Sequence, residues 1–369
     1  MKILKRTIFF SLGLILFSAG CRQKEEGSGD DSTYNRAELL VNYGTNLILP
    51  RYTDLEVKMT ELQTRVIDFN ESPTLITLDE LGAALLQAQL SYQNCTSFEF
   101  GPAVNHTLRS VLSTYPTSES SIEANIANGN YDLFSIGNIA AKGFPAVGYL
   151  MYGNQKTEQE VLEMYTSNAD SAQRKAYLLA VVAQSLQVVS QVKKEWVADG
   201  YQQIFQNSDG NAVGSSVSLM LNSTVLDFER FIRDGKVGIP LGVRSLGVAN
   251  PEKVEAYYSK NSLMLVKQSI TSFKNVFNGI NENGTNGSGF DDYLSFEGAS
   301  EVASNINIQL ESVLNKLNAL TGPLSEDVTN NKPLVQEVYD EMQKTIILLK
   351  VEMPSALSVL ITYQDSDGD

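Results

Sequence analysis

From Thr33 onward, apolar residues recur every three or four positions, the spacing of an α-helix with one face against a core. Leu39, Leu40, Leu47, Leu49, Leu55, Met59, Leu62 and Val66 mark one such stripe over 36–69, with Pro50 inside it as a kink or break. Thr77-x-x-Glu80 has the form of a capping box and predicts a helix to about Gln93. Residues 97–104 are aromatic and irregular around Gly101-Pro102; a short helix over 106–112 follows, stopped by Tyr115-Pro116. Ser120-x-x-Glu123 and Thr157-x-x-Glu160 predict two further helix starts. Leu178, Val182, Leu186, Val189, Val192 and Trp196 give a long helix over 171–205.

Past the polar loop 207–210, the pattern predicts helices over 212–234, ending at Gly235, and over 251–277, opened by Pro251. An apolar loop, 238–242, lies between them, and 278–289 reads as a flexible loop rich in Asn and Gly. Two last helices cover 293–320 and 334–360, the second containing Pro354. Alternating β-branched runs with hairpin turns do not occur. The expected fold is therefore all-α. Helices this long, in a chain this size, predict two helical bundle domains packed side by side, 33–206 and 207–369.

The first 32 residues break the helical pattern. Lys2, Lys5 and Arg6 precede an apolar run over 8–17, and Ser18-Ala19-Gly20-Cys21 closes it. Residues 1–20 read as a lipoprotein signal peptide, cut before Cys21, which would then carry lipid. Ordinary secretion with an incidental cysteine is the other reading. Residues 21–32 form a polar tether with Gly and Ser. Within it, Lys24-Glu25-Glu26 resembles the surface-export signal of bacterial lipoproteins and equally suits a solvated linker. The expected location is the cell envelope, lipid-anchored to the outer membrane, with its outer face as one option.

Charge and cysteine content narrow the partners. The chain carries 28 basic and 43 acidic side chains; loss of Lys2, Lys5 and Arg6 takes the net charge from −15 to about −18. That disfavours nucleic acid and anionic lipid surfaces, and suits cations, basic partners or plain solubility. After Cys21, Cys95 is the one other cysteine, so no disulfide within the mature chain is available. Stability must come from the core. About 349 residues suffice for that, since a chain of this length buries roughly 75 per cent of its unfolded surface.

Residues 142–153, K-G-F-P-A-V-G-Y-L-M-Y-G, draw attention as the start of a helix. Gly143 supplies an unusual backbone angle, and Pro145 fits a first turn. Phe144, Val147, Leu150 and Met151 face a core, while Pro145 and Gly148, three apart, leave the other side short of side chains. A tightly packed buried helix and a pocket floor are both consistent with this. Catalytic chemistry has little to draw on. His106 is the one histidine, so a histidine-based zinc or iron site is not available from a single chain. No nucleophile elbow, phosphate loop or dinucleotide fingerprint occurs. Glu158, Glu160 and Glu163 suit helix capping. Asp365-x-Asp367-x-Asp369 resembles half a calcium loop without its Gly and closing Glu, and reads as an acidic tail with weak Ca²⁺ binding as the alternative.

Several short stretches in order resemble the imelysin-like family. They are Phe98-Glu99-Phe100-Gly101-Pro102-Ala103, Tyr115-Pro116-Thr117, Gly143-Phe144-Pro145-Ala146-Val147-Gly148-Tyr149-Leu150, Trp196 in a long helix, Ile239-Pro240-Leu241-Gly242, Val254-Glu255-Ala256-Tyr257-Tyr258-Ser259 and the Asp-Gly-Asp end. The resemblance spans essentially the whole mature chain. It implies two helical bundles, an exported and often lipid-anchored protein, and a link to bacterial iron uptake; some members are called peptidases. The family motif it implies is G-x-H-x-x-E. Gly143 keeps the Gly, but Pro145 stands at the His and Gly148 at the Glu, and neither has a side-chain ligand atom.

The reading is a non-catalytic binding lipoprotein linked to iron uptake. It would take a small-molecule, peptide or iron-bearing ligand in a cleft lined by Phe98, Phe100, Tyr149 and Pro240, with Glu99, Gly143, Pro145 and Gly148 at the site. Iron enters only through the resemblance. One alternative is a peptidase with a substitute site at Glu99, His106 and Arg109. Another is a structural partner in an outer-membrane uptake complex, with the acidic surface meeting a basic protein.

Overall fold

Interior prolines should interrupt a helix, because they lack the N–H and crowd the carbonyl four residues back. In this protein three of them do not. A computed structural model describes residues 33–363, and in it Pro50, Pro240 and Pro354 each follow a wider π-helical stretch: Asn42–Ile48, Asp227–Gly238 and Leu348–Glu352. The chain continues helically through each, as Leu49–Glu71, Ile239–Leu241 and Met353–Ala356. Widening the turn ahead of a proline relieves the crowding and leaves its missing donor without consequence. Of the kink or break expected at Pro50, the break does not occur. The expected loop 238–242 is the end of a helix that runs through Gly235 and stops at Gly242.

Several helix ends are corrected by local hydrogen bonding. The second long helix, Leu75–Gln93, starts a turn before Thr77: Thr74 is its cap, its hydroxyl accepting from the Thr77 N–H at 3.2 Å while Thr77 Oγ1 accepts from the Thr74 N–H at 3.0 Å. Ser118, not Ser120, caps Glu119–Asn128, accepting from the Ser121 N–H at 3.3 Å. The box at Thr157 and Glu160 forms as expected. The long helix Ser171–Val197 ends early, and Gly200, at φ +81°, turns the chain into Tyr201–Gln206. That reversal lays Tyr201 and Phe205 on the fully buried Trp196, with ring centroids 5.0 and 5.5 Å away.

In the second half, Pro251 opens only the short turn Pro251–Lys253; irregular chain follows to Asn261, and the helix is Ser262–Phe277. The loop 278–289 is tied down: the Asn42 amide donates to the carbonyls of Gly279 and Ser288, both at 2.9 Å. Gly298 divides the next stretch into Phe290–Phe296 and Ser300–Asn318, and the helix Leu324–Asn330 was not foreseen. The last stretch opens as Lys332–Ile347. Among the described residues there is no strand, only an isolated bridge between Ile280 and Asn286. No helix among them is long and apolar enough to cross a membrane. The expected signal peptide, Cys21, the tether and the acidic tail at Asp365 to Asp369 lie outside the described residues.

Two groups of helices share one hydrophobic core. Leu49–Glu71 packs on Leu75–Gln93 and Ser171–Val197, which also carries Gly143–Tyr152; Ser300–Asn318 packs on Lys332–Ile347 and Ser262–Phe277. The groups meet where Leu75–Gln93 touches Ser262–Phe277 and where Ser216–Leu226 touches Thr96–Phe98. The described residues from Tyr34 on belong to one compact unit. Apolar contacts fill most of the seam, but a run of charged and polar groups is buried along it.

Candidate functional site

That run begins with Asp227, the first residue of the π-helical stretch Asp227–Gly238 and 1% exposed. A carboxylate this deep needs donors on every side. It receives hydrogen bonds from Thr96 Oγ1 at 2.7 Å and Ser97 Oγ at 3.2 Å, and pairs with the Arg109 guanidinium at 3.0 Å. Arg109 also donates to the Thr96 carbonyl at 2.7 Å and lies 3.8 Å over the Phe231 ring. Burial opposes the Arg109 charge, but Asp227, Tyr92 and Glu99 around it more than offset that and raise its affinity for the proton. Glu99 accepts from the Arg109 backbone N–H at 3.0 Å; burial pushes its carboxyl up, and Arg109 pulls it partly back.

Nine positions along the same π-helical stretch, Lys236 forms an ion pair with Glu255 and donates to Gln93 Oε1 at 2.8 Å. Both charged side chains are about 5% exposed. Glu255 also accepts from Ser113 Oγ at 2.7 Å and from the Gln93 amide at 3.3 Å, and Ser269 completes the set by donating to Gln93 Oε1 at 2.9 Å. Between the two ion pairs opens a cavity of about 460 Å³, with Tyr92, Thr96, Tyr115, Phe231, Ile239 and the two cations in its walls. The hydroxyl of Tyr92 is buried without a hydrogen-bond partner, and burial holds it firmly protonated, so it is a donor with nothing to donate to. Burial, with Glu255 nearby, does the same to Tyr115.

A slightly larger cleft, about 510 Å³, lies by Tyr152, Lys156, Tyr257, Tyr258, Lys260 and Glu326. Its ion pair, Lys260 with Glu326, is more than half exposed on both sides. Water already satisfies such groups, so volume alone does not recommend it over a cavity with buried charge and an unused donor.

Of the residues singled out in the sequence, Arg109 is in the cavity wall with Glu99 against it, and the others fall elsewhere. Phe98 is a core ring under the Arg51 guanidinium, and Phe100 stacks on Phe205 at 5.6 Å; neither lines the cavity. Pro240 is buried near the helix end, its carbonyl accepting from the Asn250 N–H at 2.8 Å. Every residue of Gly143–Tyr152 up to Met151 is buried, on the sparse face as well as the apolar one. Gly143 sits at φ +73°, and a Cβ there would lie 2.4 Å from the Val111 carbonyl oxygen and 2.5 Å from that of Leu112. Over Gly148 lies Tyr258, with carbons 3.9 Å from where a Cβ would stand. Tyr258 donates to Glu119 at 2.9 Å, and its ring meets that of Tyr149, which donates to Glu123 at 2.8 Å. Beside Pro145 remains a crevice of about 10 Å³, room for no more than about one water. Tyr115 and Pro116 line both that crevice and the large cavity, so the helix sits behind the cavity wall rather than in it.

The substitute catalytic set does not assemble. His106 Nε2 pairs with Glu195 at 2.6 Å near the surface, while Glu99 and Arg109 face inward. Cys95 is buried, its thiol donating to the Ser91 carbonyl, and burial pushes its pKa up, away from a reactive thiolate. Among the described residues, no group of three or more His, Cys, Asp and Glu is arranged to hold a metal ion. Sequence reasoning missed Tyr92, Asp227, Lys236 and Glu255. The available signal was charge at 227, 229, 230, 233, 234 and 236 interleaved with Phe228, Phe231, Ile232 and Val237, together with Glu255 in one of the family-like segments.

A peptidase-family model described as imelysin matches residues 48–348. No curated protein matches the chain. A crystal structure described as an iron-regulated protein A precursor from Parabacteroides distasonis superposes with a TM-score of 0.69 at 19% identity, covering 87% of this chain and 96% of that one. An imelysin-like protein from Psychrobacter arcticum superposes with a TM-score of 0.68 at 15% identity, covering 89% and 97%. At these identities the structures share the fold.

Proposed function

The chain belongs to the imelysin family, and on that premise we propose that it binds a ligand in the cavity between Arg109 and Lys236 rather than cutting peptide bonds. One observation carries this reading: two buried ion pairs and an unused buried hydroxyl surround a cavity large enough for a small organic molecule. Pro145 and Gly148, at the positions where the family motif has His and Glu, have no ligand atoms, and Tyr258 covers the space beside Gly148. Metal-assisted hydrolysis at that helix therefore has nothing to work with in this chain. His106, Glu99 and Cys95 are each engaged separately, which also favours binding over covalent or acid–base catalysis.

A link to iron, supported by the similar protein described as iron-regulated, and a place in the cell envelope are part of this proposal. Lipid attachment at Cys21 belongs to the same proposal, resting on the basic, apolar and small-residue order of residues 2–21. The deciding experiment purifies the full chain from its native host and measures bound small molecules and metals by mass spectrometry and elemental analysis, beside an Ile239→Trp variant that fills the cavity. A co-purifying molecule lost from the variant is expected. A molecule retained at full occupancy by the folded variant would remove the cavity from consideration. Cleavage of a denatured protein substrate, abolished by His106→Ala, would restore the peptidase reading.

A further inference from the structure

Resting on that cavity, we infer that its ligand is an organic anion, an apolar body bearing a carboxylate or similar oxyanion whose charged end lies toward Arg109, Lys236 and Tyr92. Three observations point the same way. The chain is strongly acidic, at −15, yet the charged side chains in the cavity wall are Arg109, Arg230, Lys236 and Lys253 with one carboxylate, Glu255; Asp227 and Glu99 lie outside the lining, against Arg109. Such an inversion of sign inside a low-dielectric recess focuses positive potential where a ligand would sit.

Second, Tyr92 is 1% exposed and its hydroxyl has no acceptor. A buried unpaired donor costs about 1–3 kcal/mol, and an oxyanion in the cavity is the acceptor that would remove the cost. A cationic ligand would find the one carboxylate in the wall already engaged, since Glu255 receives Lys236, Ser113 and Gln93, while Asp227 lies outside the lining, against Arg109. Third, beside the hydroxyl residues Thr96, Ser110, Ser113 and Thr114 the wall carries Tyr115, Pro116, Phe231 and Ile239, which suit an aromatic or aliphatic body and not a bare inorganic ion. The Arg109 guanidinium over Phe231 stays planar and fixed, presenting its charge from a rigid position.

The test uses the full mature chain and two fluorescent probes of the same shape, 8-anilinonaphthalene-1-sulfonate and its uncharged counterpart N-phenyl-1-naphthylamine. The sulfonate should bind at least about tenfold tighter, and rising salt should weaken it alone. Tyr92→Phe should weaken the sulfonate by about tenfold, the worth of one hydrogen bond to a charged group, and leave the neutral probe unchanged. Because the hydroxyl has no partner to lose, that variant should fold as well as the parent. Lys253→Gln should flatten the salt dependence. Equal affinity for the two probes, or an unchanged sulfonate affinity in folded Tyr92→Phe, would overturn the anion inference and leave the cavity standing. Failure of both probes to bind, or binding of both undiminished by Ile239→Trp, would overturn the cavity reading and the inference with it. Displacement separates the sources of such an anion. Benzoate would mark a free acid, a peptide with a free C-terminal Phe but not its amide would mark a peptide end, and ferric citrate but not citrate would mark a metal complex. Displacement by none of them would overturn the inference.

Discussion

Two neighbouring regions present opposite kinds of scarcity. The face of Gly143–Tyr152 lacks side chains, and the structure fills it from outside: carbonyl oxygens of Val111 and Leu112 press on Gly143, and Tyr258 lies over Gly148. The seam beside it is crowded with charged side chains, and it is there that a cavity remains. Small residues let neighbouring backbone and rings approach until nothing is left over, as close packing demands. Buried charges do the reverse. Each needs specific partners at fixed distances, and the space between two satisfied pairs cannot be closed without breaking one of them. A gap in the side-chain inventory is therefore a poor guide to a pocket, whereas charge held in the core is a better one.

Mutations on the two sides can break or sharpen this contrast. Glu255→Ala should cost the most, about 3–5 kcal/mol by urea denaturation, because it strands Lys236 as a buried cation. A loss below about 1 kcal/mol would show that water reaches the pair and that the seam is not dry. Gly143→Ala should cost about 3 kcal/mol through the carbonyl contacts at 2.4 and 2.5 Å and the strain of φ +73°. Gly148→Ala, on the same helix, should instead gain about 0.5–1 kcal/mol, since 3.9 Å is ordinary contact and alanine favours the helix. If both glycines proved equally intolerant, the distinction between backbone contact and mere small size would fail.

Two smaller effects follow. Burial raises the Glu99 carboxyl, so the folded state holds its proton more tightly than the unfolded one. Its contribution is then greatest at low pH and is lost as pH rises from the ordinary carboxylate value through the raised one. Glu99→Gln should remove that part of the stability–pH slope; an unchanged slope would mean that Arg109 fully compensates the burial. The smallest change belongs to His106→Ala, which breaks a surface pair worth less than about 1 kcal/mol and should leave probe binding in the cavity untouched. Altered binding would connect the surface pair to the cavity and blur the two regions.

Much of the fold was legible because helical periodicity is local. The stripe from Leu178 to Trp196 and the box at Thr157 and Glu160 needed only near neighbours. Errors gathered where a second signal competed. Pro50 reads as a kink or break and 238–242 as a loop because a π-helical stretch leaves no mark in the spacing of apolar residues. Thr77 and Ser120 looked like caps, but Thr74 and Ser118 one turn or less before them were equally good sequences for the task, and packing chose between them. Of the candidate site, Arg109 and the 254–259 segment were noticed, but not what they face.

The sequence by itself determined an all-α chain, its family, and the absence of ligand atoms at Pro145 and Gly148, since each depends on residue identity or short-range order. Only the tertiary structure decided that Asp227 would meet Arg109 and Lys236 would meet Glu255, that Tyr92 would be left with an idle hydroxyl, and that Tyr258 would cover Gly148. Arg109 and Asp227 stand far apart along the chain, and such pairs have no period. They exist because helices carrying their own apolar stripes pack at one seam and bring the charges between those stripes together.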